Sequence, residues 1–252
     1  GFNCKILFEM GEEISSPGLA EICHQQQALL KADLFIASDG PRLNAQRPTL
    51  FLGSRGAANF RLTIRARDNA YHSGNWGGLL SNPGTQLASA IACLVNAQGV
   101  LQVTALKPDS LTDAVRAILS DIDVGGMPGD PTLADGWGEP GLTPAERLYG
   151  WNTLEVLAFE TGNPARPMNA IPGSATAVCQ LRFVVGTDWA NLVQHVERHL
   201  HQHGFDNVSV EFLRGSPATR LDPQDPLVDW ALDTLARSSG KKPALLPNLG
   251  GS

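Results

Sequence analysis

Two glutamates, Glu12 and Glu13, stand side by side in KILFEMGEEISSP (5–17). Neighbouring like charges repel, so a fold gains little from holding both unless something positive lies near them. On its own the pair reads as a solvated turn. A third carboxylate, Asp39, ends the apolar run DLFIASD (33–39). Carboxylates are hard oxygen donors for a divalent ion, and one of an adjacent pair can ligate while the other handles protons. Without a His ligand close in sequence, they do not identify a metal. His195 and His199, in HVERH, have metal-ligand spacing on a helix, but Glu197 is the third residue and not the second of an H-E-x-x-H motif. Both flank an apolar stripe, and a solvated helix face is expected. Arg182 sits in the apolar run VCQLRFVV, where an unpaired guanidinium is costly. It needs a carboxylate, supplied either by a ligand or by a structural Asp or Glu.

The elements that must position these groups follow from periodicity. NCKILFE (3–9) and DLFIASD are continuous apolar runs, the pattern of strands buried on both faces. Between them SSPGLAEICHQQQALL predicts a helix with Ser16 as N-cap and Pro17 at its first position. Strand, helix and strand make a βαβ unit and imply a parallel sheet, with ligands collecting at the carboxyl ends of the strands. Glu12, Glu13 and Asp39 would then share one rim. After NAQRPTL the pattern changes. ANFRLTIRAR (58–67) alternates as an antiparallel strand with one face exposed, its arginines at positions that could blunt a sheet edge. A helix is predicted at 83–97, strands at 152–160 and 175–185, a helix at 188–203 and a strand at 207–213. The order β-α-β-β-α-β is the ferredoxin-like plan. A stretch rich in Pro, Gly and Asp, 100–150, interrupts it and contains one helix near 110–120. DPLVDWALDTLARSSG (225–240) predicts a last helix stopped by Gly240. The fold class is therefore α/β: a domain with a mainly parallel sheet, interrupted by an inserted α+β domain. The boundaries are 1–50 and 215–252 for the first and 51–214 for the insertion.

Bulk properties narrow the partners. The 252 residues carry a formal net charge of −6 and a pI near 5.5, with no basic stripe, which argues against nucleic acid. No apolar run reaches the roughly 18–20 residues of a membrane span, and no signal peptide opens the chain. Four scattered cysteines without C-x-x-C spacing read as a reduced, cytoplasmic set.

LFEMGEEISSP, IASDG, TLFLGSRG, NAYHSGNWGG, NAIPGSATAVCQLR and PNLGGS, in that order, resemble the signature segments of the zinc-dependent dipeptidase, aminoacylase and glutamate carboxypeptidase family, metallopeptidase family 20. The 100–150 stretch is most similar to the dipeptidase branch. The resemblance implies a dinuclear-zinc amidohydrolase, with Mn or Co as possible substitutes, that removes an amino acid from a short peptide. An N-acyl amino acid deacylase or desuccinylase is the second reading, and a non-catalytic dimerising module that lost its metal is the third. It implies Glu12 as the general base for the attacking water, worth about 10²–10⁴-fold, and Glu13 and Asp39 as ligands to one metal each. His72 would stabilise the oxyanion from across a homodimer formed through the inserted domain. Asn169 and Arg182 would grip the substrate carboxylate, joined by Gly251, whose missing side chain lets backbone approach a ligand, and by Ser252. The family's H-x-D motif, its bridging Asp and its last His ligand have no counterpart in this sequence. They are expected outside residues 1–252, in a chain truncated at both ends.

Overall fold

The helix expected after SSP forms, but late. The computed structural model describes residues 3–14, 16–37, 43 and 46–250, without the side chain of Glu13, and divides into two units, Gly1–Gly40 and Pro41–Ser252. In the first unit Ser16 and Gly18 take positive φ values of 46° and 84°. Helix α1 (Leu19–Gln25) therefore begins after Gly18 and not at Pro17, and α2 (Gln27–Leu30) follows. Glu12–Ile14 form a single 3-10 turn.

The strands expected at 3–9 and 33–39 are not formed among the described residues. Ile6, Phe8, Phe35 and Ile36 are instead 70%, 83%, 83% and 68% exposed. A parallel strand needs hydrogen-bonded neighbours on its sides and helices over its faces. Among its described residues this unit supplies neither, since α1 and α2 bury no residue. Asp39, at the end of the second run, lies outside the described residues.

The second unit opens with β1 (Thr49–Phe51), β2 (Gly56–Arg65), β3 (Tyr71–His72) and helices α3 (Ser73–Trp76), α4 (Pro83–Leu94), α5 (Asp113–Leu119) and α6 (Pro144–Gly150). It continues with β4 (Thr153–Glu160), β5 (Ala170–Ile171), β6 (Ser174–Phe183), α7 (Leu192–Gln202), β7 (Ser209–Ser216), α8 (Pro226–Ser239) and β8 (Ala244–Leu246). Four strands form an antiparallel sheet in the order β4-β6-β2-β7. With α4 and α7 as crossovers this is the predicted ferredoxin-like plan. The alternating run ANFRLTIRAR is central, so its arginines guard no edge. Arg61 instead pairs across the strands with Glu211 of β7. The edges are β4 and β7.

Alternation decides the core. Phe60, Leu62 and Ile64 of β2, with Ala177, Cys179 and Leu181 of β6, turn to one face and are buried. Leu87, Ala90 and Leu94 of α4 and Leu192, Val196 and Leu200 of α7 cover them. Each such Leu or Ile contributes about 1.5–3 kcal/mol on burial. A second cluster gathers Val115 and Leu119 of α5, Ala145 of α6, and Ala244 and Leu246 of β8. It holds much of the 100–150 stretch against the parallel pair β1–β8. Helix α6 is not among the predicted elements, although its signal is legible. Thr143 and Glu146 form a reciprocal capping box ahead of it, with Pro144 at the first position. Helix α8 ends as expected, at Gly240 with φ 66°. All four cysteines are free, and among the described residues no helix is long and apolar enough to cross a membrane.

Candidate functional site

The predicted site residues of the second unit fall into two groups, one at each end of β6. At the first end, β3 and β5 form a two-residue antiparallel ribbon that sets His72 opposite Ala170. The Asn169 carbonyl accepts bonds from the Ser73 N–H (2.9 Å) and hydroxyl (3.2 Å), so His72 and Asn169 are brought together. The corner between β5 and β6 depends on Gly173. Its carbonyl accepts from Ala66 and Arg67, and a Cβ there would lie 2.3 Å from the Arg67 carbonyl oxygen. His72 is exposed, and its Nδ1 accepts from the Gly74 N–H at 3.1 Å. With Nδ1 accepting, the neutral ring carries its proton on Nε2, a donor free to meet a developing oxyanion.

The other end is cationic and packed. The Arg182 Nε donates to Gln180 at 2.9 Å, and Gln180 in turn donates to Asn59 at 2.8 Å. Arg182 is half-buried and forms no ion pair with a carboxylate among the described residues. Of the two partners expected for it, the structural Asp or Glu is not found among the described residues. Arg55, 6% exposed, lies against it and donates to the Arg182 carbonyl (3.2 Å) and the Trp151 carbonyl (3.1 Å). Burial, and then the positive charge of Arg182, push the Arg55 guanidinium down to about 10, against the opposing pull of Glu155. Burial in turn raises the Glu155 carboxyl, which Arg55 offsets only in part. Arg55 had no assigned role in the sequence, although an arginine inside the apolar segment TLFLGSRG was the available signal.

The return segment reaches this same end. Leu249 donates to the Gly53 carbonyl at 2.8 Å and accepts from the Arg55 N–H at 3.1 Å. The buried Asn248 donates to the Tyr149 carbonyl at 2.6 Å. The chain is thereby led past Arg55 to Gly250, beside the Tyr149 ring. Gly251 and Ser252 themselves lie outside the described residues.

Asn169 and Arg182 do not meet within one chain. Arg182 stands eight residues beyond Ser174 on β6, roughly 26 Å at about 3.3 Å per residue. The ribbon with Asn169 precedes Ser174.

In the first unit Glu12 is exposed and makes no ion pair among the described residues. The side chain of Glu13 and the whole of Asp39 lie outside the described residues. The convergence of three carboxylates on one rim therefore rests on the sequence.

The solvated face expected for His195 and His199 is corrected. The His195 side chain is 14% exposed, and its Nε2 lies 2.8 Å from Asp188. Bonds from Asn191 and then from His195 hold the Asp188 carboxyl below the usual range. His199 Nε2 meets the Cys93 carbonyl at 2.8 Å. The two rings diverge to separate partners because each flanks the buried stripe of α7.

Comparison with known proteins agrees with this architecture. The peptidase dimerisation domain of the M20 family matches residues 52–208. The chain is 31% identical over 217 residues to a Cys-Gly metallodipeptidase of Schizosaccharomyces pombe, covering 79% of this chain and 43% of that protein. It is 28% identical over 126 residues to a beta-Ala-His dipeptidase of Rattus norvegicus, covering 48% of this chain and 26% of that protein. The chain thus spans less than half the length of these relatives. Among solved structures, an M20 family metallo-carboxypeptidase from Sulfolobus solfataricus superposes with a TM-score of 0.75 at 24% identity, over 96% of this chain and 56% of the other. A dipeptidase from Saccharomyces cerevisiae gives 0.74 at 20% identity, over 96% and 53%. These two establish the shared α/β fold. With the domain match covering more than half of its residues, the chain belongs to the M20 family of metallopeptidases, on the dipeptidase-like side.

Proposed function

We propose that this chain is part of a dinuclear-zinc dipeptidase or carboxypeptidase whose active site is completed by a second copy. Residues 1–50 and 215–252 would belong to the catalytic domain, and 51–214 would form the inserted domain through which two copies pair. The observation that carries the reading is the Arg182 end of β6: a half-buried guanidinium without a carboxylate partner among the described residues, beside a second guanidinium, Arg55. Such a pair suits the free carboxylate of a peptide or an amino acid. The dipeptidase names of the relatives favour a peptide over an N-acyl amino acid.

Glu13 and Asp39 are oxygen donors of the kind divalent ions take, two of the ligands that a dinuclear centre needs, with the remaining ligands expected outside residues 1–252. Glu13 and Asp39 would hold one ion each. When bound, the metal acidifies the attacking water and polarises the scissile carbonyl. Glu12 accepts the water proton and later returns it to the leaving amine. Arg182, with Gly251 and Ser252, orients the carboxylate. His72 donates from Nε2 to the developing oxyanion. Because the ribbon lies a strand length from Arg182, His72 and Asn169 would serve the site of the partner copy. Four free cysteines fit a reducing, cytoplasmic setting.

The assignment of the adjacent pair is tested in the full-length protein. Glu12→Gln keeps its metal and loses roughly 10²–10⁴-fold in turnover, since Gln cannot accept the proton. Glu13→Ala loses metal. Metal analysis showing the two reversed would overturn these roles.

A further inference from the structure

A thiol and two imidazoles that the proposed chemistry does not use meet where α4 ends against α7. One ligand atom from each of Cys93, His199 and His203 lies within 4.8 Å of the others. Cys93 and His199 are half-buried, and His203 is exposed at the C-cap of α7. We propose that these three side chains form a second metal site, for a thiophilic divalent ion such as Zn²⁺, which clamps α4 to α7 behind the dimerisation sheet.

Three features beyond proximity support it. First, each imidazole already has one nitrogen committed to a backbone carbonyl. His199 Nε2 lies 2.8 Å from the Cys93 oxygen, and His203 Nδ1 lies 2.8 Å from the His199 oxygen. A ring that donates from one nitrogen keeps its lone pair on the other, and a carbonyl behind a metal-bound histidine is the usual support that fixes its orientation. With those bonds kept, the nitrogens left for a metal are Nδ1 of His199 and Nε2 of His203. Second, the donor set is selective. One sulfur and two imidazoles suit Zn²⁺ and disfavour Ca²⁺ or Mg²⁺, which take oxygen.

Third, the remaining adjustment is small. Ligands held at about 2.0–2.3 Å around a tetrahedral ion stand roughly 3.5 Å apart. Closing from 4.8 Å requires about an ångström of movement, which the exposed His203 can supply by rotating. The Cys93 thiol now donates to the Ala90 carbonyl at 3.0 Å. On binding, that S–H bond breaks, sulfur bonds the metal, and the proton leaves to solvent. Three protein ligands leave the fourth position to water on the His203 side. The rings of His199 and His203 lie tilted beside one another, centroids 4.3 Å apart. The spacing of His199 and His203 was in the sequence, but their partner lies more than a hundred residues away on another helix.

The test titrates Co²⁺ into the metal-loaded full-length protein. A sulfur-to-cobalt charge-transfer band reports a thiolate ligand, and it is silent for sites built from carboxylates and imidazoles. The wild-type protein should develop this band to one equivalent and lose it on adding Zn²⁺. His195→Ala should behave like the wild type. Cys93→Ser should give no band, and His203→Ala, at an exposed position that leaves the core intact, should bind at least about tenfold more weakly. Absence of the band in the wild type, an undiminished band in Cys93→Ser, or wild-type affinity in His203→Ala would each overturn the site.

Discussion

Strand β6 has two unlike ends. At one, His72 and Asn169 sit on a two-residue ribbon, exposed and tied by a few local hydrogen bonds. At the other, Arg182 is packed against a buried Arg55 and a hydrogen-bonded Gln180. The first end offers an imidazole on a light scaffold. The second concentrates positive charge where solvent is partly excluded, so it is strongest toward an anion. The proposed reaction calls for both, a grip on a carboxylate and a donor for an oxyanion, and one chain holds the two proposed groups a strand length apart. Under the proposed function the sheet would act as a spacer, separating groups that two copies would bring together.

The largest expected effects set the two ends against each other in the full-length enzyme. His72→Ala should lower kcat by roughly 10²–10³-fold with little change in KM, because an oxyanion donor acts in the transition state. Arg182→Ala should act mainly on KM, by about 10–100-fold, the size of a lost charged hydrogen bond of about 1.5–3 kcal/mol. Steady-state kinetics showing the same KM-only change for both would erase the distinction between the ends.

A smaller effect probes the scaffold beside Arg55. Burial would raise the Glu146 carboxyl, but the N–H and hydroxyl of Thr143 and the Arg116 guanidinium win and hold it below the usual range. A depressed carboxylate contributes stability that is present above its unfolded value, about 4.3, and is lost as pH falls through the folded value. Urea midpoints should therefore fall more steeply below about pH 4 in the wild type than in Glu146→Gln. Thr143→Ala should cost about 1 kcal/mol at neutral pH. An unchanged acid limb in Glu146→Gln would remove the capping box from this account.

The inserted domain was legible because each of its elements carries its own period. The two-fold alternation of ANFRLTIRAR and the helical stripe through Leu192, Val196 and Leu200 encode which face is buried, whatever lies farther off in the chain. The apolar runs at 3–9 and 33–39 carry no such phase. Ile6, Phe8 and Phe35 are apolar enough for a buried strand, but pairing depends on neighbours that the runs do not specify. Strands β1 and β8 carry no legible signal for a related reason, since three residues are too few to show a period. The individual residues of the proposed site were legible only through resemblance. Arg182 alone declared itself physically, as a charge in an apolar strand, and among the described residues it bonds Gln180 and forms no ion pair with a carboxylate. The distance between Asn169 and Arg182 was not legible, because thirteen residues of sequence reveal nothing until the strand between them is known to be straight.

Subunit mixing tests the shared site most directly. Full-length His72→Ala and full-length Glu12→Gln, each inactive alone, are combined in equal amounts and allowed to exchange subunits. If His72 serves its partner, a heterodimer contains one site lacking both groups and one intact site. Half of the randomly exchanged dimers are then half active, and activity should return toward about a quarter of wild type, as a symmetric pair of sites requires. If His72 serves its own chain, every site lacks one group. Confirmed exchange with no recovered activity would contradict the account.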